Sequence, residues 1–475
     1  MELKKTYTEE DGKYNVKAIM FVLLLGSFLA LFNETILNVA LPKLMVEMNI
    51  SAVTSQWLTT GYVLVVGILV PVTAFLINTF TTKQLYVSAM GLFLLGTILA
   101  AASSSFTTLL ISRLIQGCGT GMLIPIMMNS ALVITPHEKH GSTMGLCISI
   151  MTLGPALGPT VSGLLLQSFS WHALFILIIP FIVICIAGGL IFLKNTSEIT
   201  KPKLDYLSII LSTIGFAAII YSVSSAGSSS LTETLILFAI GLIALFAYGK
   251  RQLILEQPIL EIRTLKKAKF SIGIILVILI QMFQFSINML LPMLLQDGLK
   301  TSSFVSALSL LPAILLGCIL TPFIGKIFDK IGGKVLIPSG LAIMCLFTFM
   351  MSRATPSFSV AIMALLYCFI MLGLSMSMST SQTMALSQLN PKNRADGVAI
   401  VNTAMQIAGA LGSALFVGIM TVYQNKYLES AANDPVNAIY SGFRHSVTVA
   451  AVLMLLGFLL SFKLNSKKKA MKNEK

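Results

Sequence analysis

The chain has 475 residues, of which 56% are hydrophobic and only 11% are charged. A soluble domain of ordinary composition carries about 25% charged residues, so this composition excludes a water-soluble globular protein. The formal net charge of +14 does not indicate nucleic acid, because the lysines and arginines cluster in short stretches between long apolar segments. That placement is typical of membrane topology signals.

The apolar segments are long enough to cross a bilayer, which requires about 20 residues per helix. They are rich in Leu, Ile, Ala and Met without short alternation, which favours helices over a β-barrel. In chain order the predicted spans are 18–41, 56–80, 84–104, 107–133, 143–166, 172–193, 205–224, 232–250, 270–295, 303–323, 334–352, 357–381, 397–423 and 444–463. The sequence therefore predicts an all-α polytopic membrane protein with fourteen spans.

Charge asymmetry predicts the orientation. An even number of spans places both termini on one side, and a cytoplasmic N-terminus assigns 26 Lys and Arg residues to the inner side and 5 to the outer side. The remaining one, Arg113, lies inside a span. Under the positive-inside rule we predict a multi-pass protein of the plasma membrane with both termini in the cytoplasm.

An internal similarity indicates two related halves around a middle pair of spans. The segments Pro71–Lys83 and Pro322–Lys334 each connect two spans, and their Pro and Lys residues match at identical spacing. Many secondary transporters are built from such repeats. The predicted organisation is an N-terminal tail at 1–17, six helices at 18–193, two extra helices with a cytoplasmic linker at 194–269, six helices at 270–463, and a basic tail at 464–475.

Glu34 is the one acidic residue well inside a predicted span, and Arg113 is the one basic residue. A carboxylate in hydrocarbon costs several kcal/mol, so Glu34 is either a structural acid that stays protonated or paired, or a proton-titrating site. Asn38 lies four residues later, on the same face of a continuous helix. Glu34 and Arg113 are predicted at similar depth, and their partnership is either direct or through the backbone of the fourth helix.

The fifth span contains two glycines four residues apart and two prolines, followed by a third glycine. Glycines at this spacing allow close approach of a second helix, and the prolines weaken the backbone hydrogen bonds. The residues are Gly154, Pro155, Gly158, Pro159 and Gly163.

Uncharged polar residues in several spans are candidates for the lining of a substrate cavity. Together with methionines they would form an adaptable surface for varied ligands, although hydrogen bonding between helices is an equally good explanation for each residue. The candidates are Asn33, Asn38, Gln281, Gln284, Asn288, Gln382, Asn402 and Gln406.

The sequence contains no signature of an enzyme. It has no P-loop and no Gly-rich nucleotide fingerprint, and its four histidines and six cysteines form no metal-binding pattern. We therefore predict no cofactor and no metal, and an ion gradient as the energy source.

These motifs resemble the fourteen-helix drug:H+ antiporter branch of the major facilitator superfamily, over nearly the whole chain. Residues 325–334 resemble the superfamily's cytoplasmic gating-loop signature, with Gly325, Asp329, Lys330, Gly332 and Lys334 as its members. Residues 109–121 resemble the fourth-helix motif, in which the arginine, here Arg113, is implicated in proton coupling. Residues 154–163 resemble the fifth-helix antiporter motif, which is typical of export.

The first helix departs from that branch, which usually has an Asp where this chain has Asn33. The acid has moved to Glu34, a variant that resembles lincomycin-resistance exporters of Gram-positive bacteria. The resemblance implies proton-driven multidrug efflux and antibiotic resistance, with small amphipathic substrates that include lincosamide-type antibiotics, and a monomer in the lipid bilayer. The alternatives are an exporter of an endogenous amphiphile, such as a fatty acid or lipid precursor, and a non-transporting sensor or scaffold.

Overall fold

A computed structural model of the chain describes residues 15–195, 199, 205–224, 231–256, 258–390, 393–430 and 434–465. Most of the two predicted tails, residues 1–14 and 466–475, and parts of the predicted connection 194–269 lie outside the described residues. Across the described ranges the chain forms α-helices and short 3₁₀ and π turns, with no β-strand. The α-helices are α1 (Val16–Ile36), α2 (Leu41–Glu47), α3 (Ala52–Thr79), α4 (Thr82–Ala101), α5 (Phe106–Ile134), α6 (His140–Leu165), α7 (His172–Phe192), α8 (Tyr206–Ser224), α9 (Leu231–Ile254), α10 (Ala268–Met293), α11 (Ser303–Ile331), α12 (Gly333–Met351), α13 (Val360–Leu386), α14 (Arg394–Ser430) and α15 (Pro435–Ser461).

Thirteen helices in the described part of the chain are long and apolar enough to cross a membrane, and the shorter apolar helix α8 is the fourteenth candidate. Their outward surfaces carry large apolar side chains, including Phe21, Ile243 and Phe246, which are 62%, 69% and 66% exposed. Such surfaces are stable in lipid and not in water. The predicted fold class, an all-α polytopic membrane protein with fourteen spans, is confirmed.

Hydroxyl side chains fix the start of several helices. Ser51, Ser105, Ser302 and Ser359 precede α3, α5, α11 and α13, and each side chain accepts a hydrogen bond from a main-chain N–H in the first turn. These N–H groups have no partner within the helix, so a side-chain cap satisfies them. The sequence thus encodes helix starts locally as well as through hydropathy.

The first predicted span, 18–41, is too long at its C-terminal end. Helix α1 ends at Ile36, and residues 37–40 form turns in which the Asn38 N–H donates to Thr35 O at 3.1 Å. Pro42 then lies in the first turn of α2, where its missing N–H costs nothing, and it disfavours helical conformation in the residue before it. Asn38 therefore does not share a helix face with Glu34, contrary to the prediction.

The predicted gating loop of the second half is almost entirely helical. Gly325, Asp329 and Lys330 belong to α11, and Lys334 lies in the first turn of α12. Gly332 alone joins the two helices, with a φ of 74° that suits glycine, and its N–H closes α11 on Phe328 O at 2.7 Å. The motif thus forms a sharp corner between two helices rather than a loop.

The chain divides into two compact units. Unit 1 comprises residues 1–264 and 389–410, and unit 2 comprises residues 265–388 and 411–475. In unit 1, α5 packs against α3 and α4, α1 packs against α5, α6 and α7, and the extra pair is attached through α8 to α3. In unit 2, α13 packs against α10, α11 and α12, and α15 against α10 and α12. The predicted domain boundaries stay a prediction.

Candidate functional site

The candidate site lies where the end of α1 meets α5 and α3. Its centre is Arg113, which is fully buried. The guanidinium donates from Nε to Leu58 O at 3.1 Å, from Nη1 to Asn33 O at 3.1 Å and to Gln116 Oε1 at 3.0 Å, and from Nη2 to Glu34 O at 3.2 Å. Arg113 and Glu34 therefore touch, but through the main chain of Glu34.

The premature end of α1 explains these contacts. The last four carbonyl groups of an α-helix have no intrahelical donor, and those of Asn33 and Glu34 belong to this set. A cation at a helix C-terminus also interacts favourably with the helix dipole. Arg113 thus acts as the cap of a helix end that lies inside the protein.

Tyr62 on α3 lies beneath the guanidinium. Its ring centroid is 4.1 Å from Cζ of Arg113, a cation–π contact, and the ring is fully buried. The phenol donates to Ala30 O on α1 at 3.0 Å and shares a 2.5 Å hydrogen bond with Thr120 Oγ1 on α5. Tyr62 was not a candidate from sequence, because one tyrosine in an apolar span carries no pattern that distinguishes it from a packing residue.

Gln116 extends the network to a fourth helix. Its Oε1 accepts from Arg113, and its Nε2 donates to Thr97 Oγ1 on α4 at 3.0 Å. Both polar atoms of this fully buried amide are therefore satisfied. The four helices α1, α3, α4 and α5 are joined by one chain of polar contacts around a single buried charge.

The side-chain carboxylate of Glu34 differs in its contacts from the main-chain carbonyl of the same residue. The side chain is half-buried in the last turn of α1, and within the described residues it forms no ion pair or hydrogen bond. A carboxyl group without such partners can bind and release a proton while its main chain stays in place.

The two neighbouring asparagines differ in environment. Asn33 is fully buried, and neither Oδ1 nor Nδ2 of its side chain has a hydrogen-bond partner among the described residues. Asn38 is exposed in the turn after α1. Of the two cavity candidates, Asn33 therefore belongs to the buried Arg113 region and Asn38 does not.

Another helix lies close to the two glycines four residues apart, Gly154 and Gly158, as their spacing predicts. A methyl group added at Gly154 would lie 2.9 Å from Leu31 Cβ, and one at Gly158 would lie 3.0 Å from Phe32 O. Both contacts are with α1, whereas nothing lies within 4 Å of a methyl group at Gly163.

The prolines of this motif lie within an uninterrupted α6 that runs from His140 to Leu165. The carbonyl of Pro155 accepts a hydrogen bond from Thr35 Oγ1 at 3.0 Å, which ties α6 to the turn that carries Glu34. Pro159 lies one residue after the close-contact Gly158. The motif thus packs α6 against the C-terminal part of α1.

The remaining cavity candidates fall into both units. In unit 1, Asn402 is buried and donates to Met128 Sδ at 3.2 Å and Val398 O at 2.9 Å, and Gln406 is half-buried. In unit 2, three candidates have distinct environments. Gln281 is buried and its Oε1 has no hydrogen-bond partner in the part of the chain that the structure describes, Gln284 is half-buried, and Asn288 accepts from Tyr367 Oη at 2.7 Å.

Gln382, the last candidate in unit 2, is buried on α13, with its neighbours Ser379 and Ser381. The hydroxyl oxygens of both serines are buried without a hydrogen-bond partner in the described residues. Cavity lining for these residues stays a prediction.

One buried acid was missed from sequence. Asp396 lies one residue before the predicted span 397–423, but α14 begins at Arg394, and the Asp396 side chain is 7% exposed. Its burial depends on tertiary packing of the segment after α9, for which local sequence carries no signal.

The chain was compared with known families and proteins. The family model described as Major Facilitator Superfamily matches residues 23–413. The chain is 40% identical to the lincomycin resistance protein LmrB of Bacillus subtilis, covering 96% of this chain and 98% of that protein. It is 37% identical to LmrB of Listeria monocytogenes, over 95% and 98% of the two chains.

A more distant relative is the putative multidrug resistance protein MdtD of Pectobacterium atrosepticum, at 25% identity over 89% and 91% of the two chains. Among solved structures, the human organic anion transporter MFSD10 and the proton:xylose symporter XylE each superpose with a TM-score of 0.64. Their identities are 12% and 16%, and they cover 94% of this chain and 99% and 95% of their own. These structures share the fold.

Proposed function

Because this chain belongs to the Major Facilitator Superfamily, a family of membrane transporters, we propose that it is a proton-driven exporter of small amphipathic compounds. We include lincosamide-type antibiotics among its substrates and the plasma membrane as its location. Both termini lie in the cytoplasm in this proposal, as the positive-inside rule predicts.

The relatives support the direction and the type of substrate. Two proteins named for lincomycin resistance match this chain at 40% and 37% identity over nearly their full lengths. Resistance to a drug with an intracellular target is what an exporter provides. The fully buried glycine contacts between α6 and α1 lie in the segment that resembles the antiporter motif.

The observation that carries proton coupling is the Glu34 carboxylate, which has no partner among the described residues, beside Arg113, whose three nitrogens all donate hydrogen bonds. Arg113 donates hydrogen bonds to three main-chain carbonyls and to Gln116, and it lies over the Tyr62 ring, so these groups stabilise its charge without an ion pair to the Glu34 carboxylate. The carboxyl group can therefore change its charge without dismantling the network, which a transport cycle requires of a proton carrier.

Coupling then follows from a difference in affinity between two conformers. A proton that enters from outside binds Glu34 and favours one conformer, and the substrate binds the other, so that each passage of one drives the other. Arg113 holds the main chain of this turn against α3 and α5, so a change at the carboxyl group acts on helices whose positions are defined.

The test is transport by Glu34→Gln in membrane vesicles energised with an imposed pH gradient. The amide keeps the size of the side chain but cannot titrate, so we expect complete loss of gradient-driven accumulation with the protein still folded. Glu47→Gln is the matched control, because Glu47 is an exposed acid on the neighbouring α2. Accumulation of lincomycin against its gradient by Glu34→Gln would refute the role of Glu34.

A further inference from the structure

We infer that Asp396 is a second proton-binding group, and that its proton holds the segment after α9 against the start of α14. This segment, residues 258–264, is called the linker strap here. The inference concerns unit 1 alone, and it does not depend on the drug or on the proton gradient of the proposed function.

The carboxyl group of Asp396 is buried with few hydrogen-bond donors. Its Oδ1 accepts from the Glu261 N–H of the linker strap at 3.3 Å, and its own main-chain N–H is the other donor near it. No lysine or arginine in the described part of the chain forms an ion pair with it. An ionised carboxylate without a cation costs several kcal/mol when buried, so this arrangement favours the neutral group.

The surrounding groups also favour the neutral form. The negative charge of the Glu261 carboxylate, on the linker strap, repels an ionised Asp396 carboxylate. From α9, the phenol of Tyr248 is 94% buried, interacts electrostatically with Asp396, and has no hydrogen-bond partner in the described residues. From α14 itself, the Arg394 guanidinium is directed to Leu132 O at 3.3 Å. A buried ionised carboxylate normally accepts hydrogen bonds from donors of this kind, but within the described residues Asp396 accepts none from Tyr248 or Arg394.

Asp396 occupies the third position of α14, where an ionised acid gains from the helix dipole. That gain is about 0.3–1 kcal/mol at an exposed site, well below the cost of burying an unpaired carboxylate. Helix position alone therefore does not account for this residue, and proton binding does.

The linker strap has further attachments that define its closed position. Gln252 accepts from the Leu260 N–H at 3.2 Å, and Arg263 donates to Leu253 O and Leu255 O, both at 2.9 Å. Glu261 is paired with Arg263 at 3.4 Å. Of the hydrogen bonds that the strap forms within the described residues, the one with Asp396 is made to α14, so the charge of Asp396 acts directly on the attachment of the strap to that helix.

The direction of the pH effect follows from linkage. The closed strap binds the proton of Asp396, so raising the cytoplasmic pH favours the open strap. Between the pH at which Asp396 ionises in the open strap and the higher pH at which it ionises in the closed strap, the equilibrium between the two forms changes by up to about tenfold per pH unit for one proton, and above that range it no longer changes.

Hydrogen exchange of the full-length protein in lipid nanodiscs tests this, with the amides of residues 259–264 followed from pH 5.5 to 8.5 and corrected for the chemical exchange rate. We expect protection of these amides to fall with rising pH by up to tenfold per unit in the wild type. In Asp396→Asn, the amides should keep at every pH the protection that they have at pH 5.5. Equal protection of the wild type at all pH values would overturn the inference.

The variants distinguish the titration of Asp396 from that of other ionisable groups near the strap. His140, whose Nε2 lies 3.2 Å from Thr135 O near Arg394, is retained in Asp396→Asn, so a persistent pH effect there would assign the switch to histidine and refute the inference. Glu138→Gln, an exposed acid of unit 1, should behave as the wild type. Asp205 cannot contribute, since hydrogen bonds from Arg251 lower its pKa to about 2.

A second variant keeps the test decisive if Asp396→Asn does not fold. Glu261→Gln removes the like charge beside Asp396, which makes ionisation of Asp396 easier. The loss of protection should therefore be smaller and end at a lower pH. An unchanged transition in Glu261→Gln would contradict a proton on Asp396.

Discussion

Two arginines of unit 1 each cap the C-terminal end of a helix, but the two ends are built differently. At the end of α1, Arg113 is fully buried and forms four hydrogen bonds and a cation–π contact. At the end of α5, Arg394 is half-buried and forms one hydrogen bond, to Leu132 O at 3.3 Å. The same residue type thus forms a buried network of contacts at one helix end and, at the other, a contact that water can replace.

The difference reflects what each end must satisfy. The end of α1 lies among α3, α5 and α6, where water cannot replace a missing donor, so every carbonyl group needs a protein partner. Other helix ends follow the pattern of Arg394: Lys83 donates to Leu190 O near the end of α7, and Arg263 to Leu253 O near the end of α9. The basic residues that predict topology therefore also cap helices.

The largest effect is expected from Arg113→Ala. It leaves the carbonyls of Asn33 and Glu34 buried without donors, at about 1–3 kcal/mol for each group, and it should abolish transport. Arg113→Lys keeps the charge, but one ammonium cannot reproduce the guanidinium fork, so we expect only partial recovery of stability. Thermal unfolding in detergent and vesicle transport are the measurements.

Arg444→Ala is the control for these variants, because Arg444 is exposed on α15. It should unfold and transport as the wild type does. Normal transport by Arg113→Ala would show that a fixed end of α1 is not needed for coupling, and the contrast between the two arginines would then have no functional meaning.

A smaller effect is expected where α6 contacts the C-terminal part of α1. Gly158→Ala places a methyl group 3.0 Å from Phe32 O and 3.1 Å from Ile36 N, so α1 and α6 must separate. Overpacking of this kind costs about 1–3 kcal/mol. Gly163→Ala on the same helix meets no atom within 4 Å and should be neutral or slightly stabilising. Equal unfolding temperatures for the two variants would contradict a tight α1–α6 contact.

Hydropathy predicted the helices well because a bilayer leaves the backbone few alternatives. Hydropathy failed where tertiary contacts determine the end of a helix or the partners of a side chain. The apolar sequence continues past Ile36, so nothing in its composition marks the end of α1, and the acceptors of Arg113 are main-chain carbonyls, which have no sequence signature. The glycine spacing at Gly154 and Gly158 predicted a close contact but could not identify α1 as the partner.

The same limit explains Asp396. Its helix starts at Arg394, a few residues before the apolar segment that predicts the span, and its burial comes from the linker strap and α9. Sequence distance between these elements exceeds a hundred residues, so no local pattern indicates that they meet. Predictions from composition therefore describe helices reliably and the environment of a single charge poorly.

The smallest effect is expected from Arg394→Ala. The variant removes one 3.3 Å hydrogen bond from Leu132 O, at a half-buried position where water can take over the donor role, so the cost should be about 0.5–1.5 kcal/mol. Transport should persist, in contrast to Arg113→Ala. A thermal unfolding series of the two alanine variants side by side measures the difference directly. If Arg394→Ala were as destabilising as Arg113→Ala, burial and the number of acceptors would not be what separates the two helix ends.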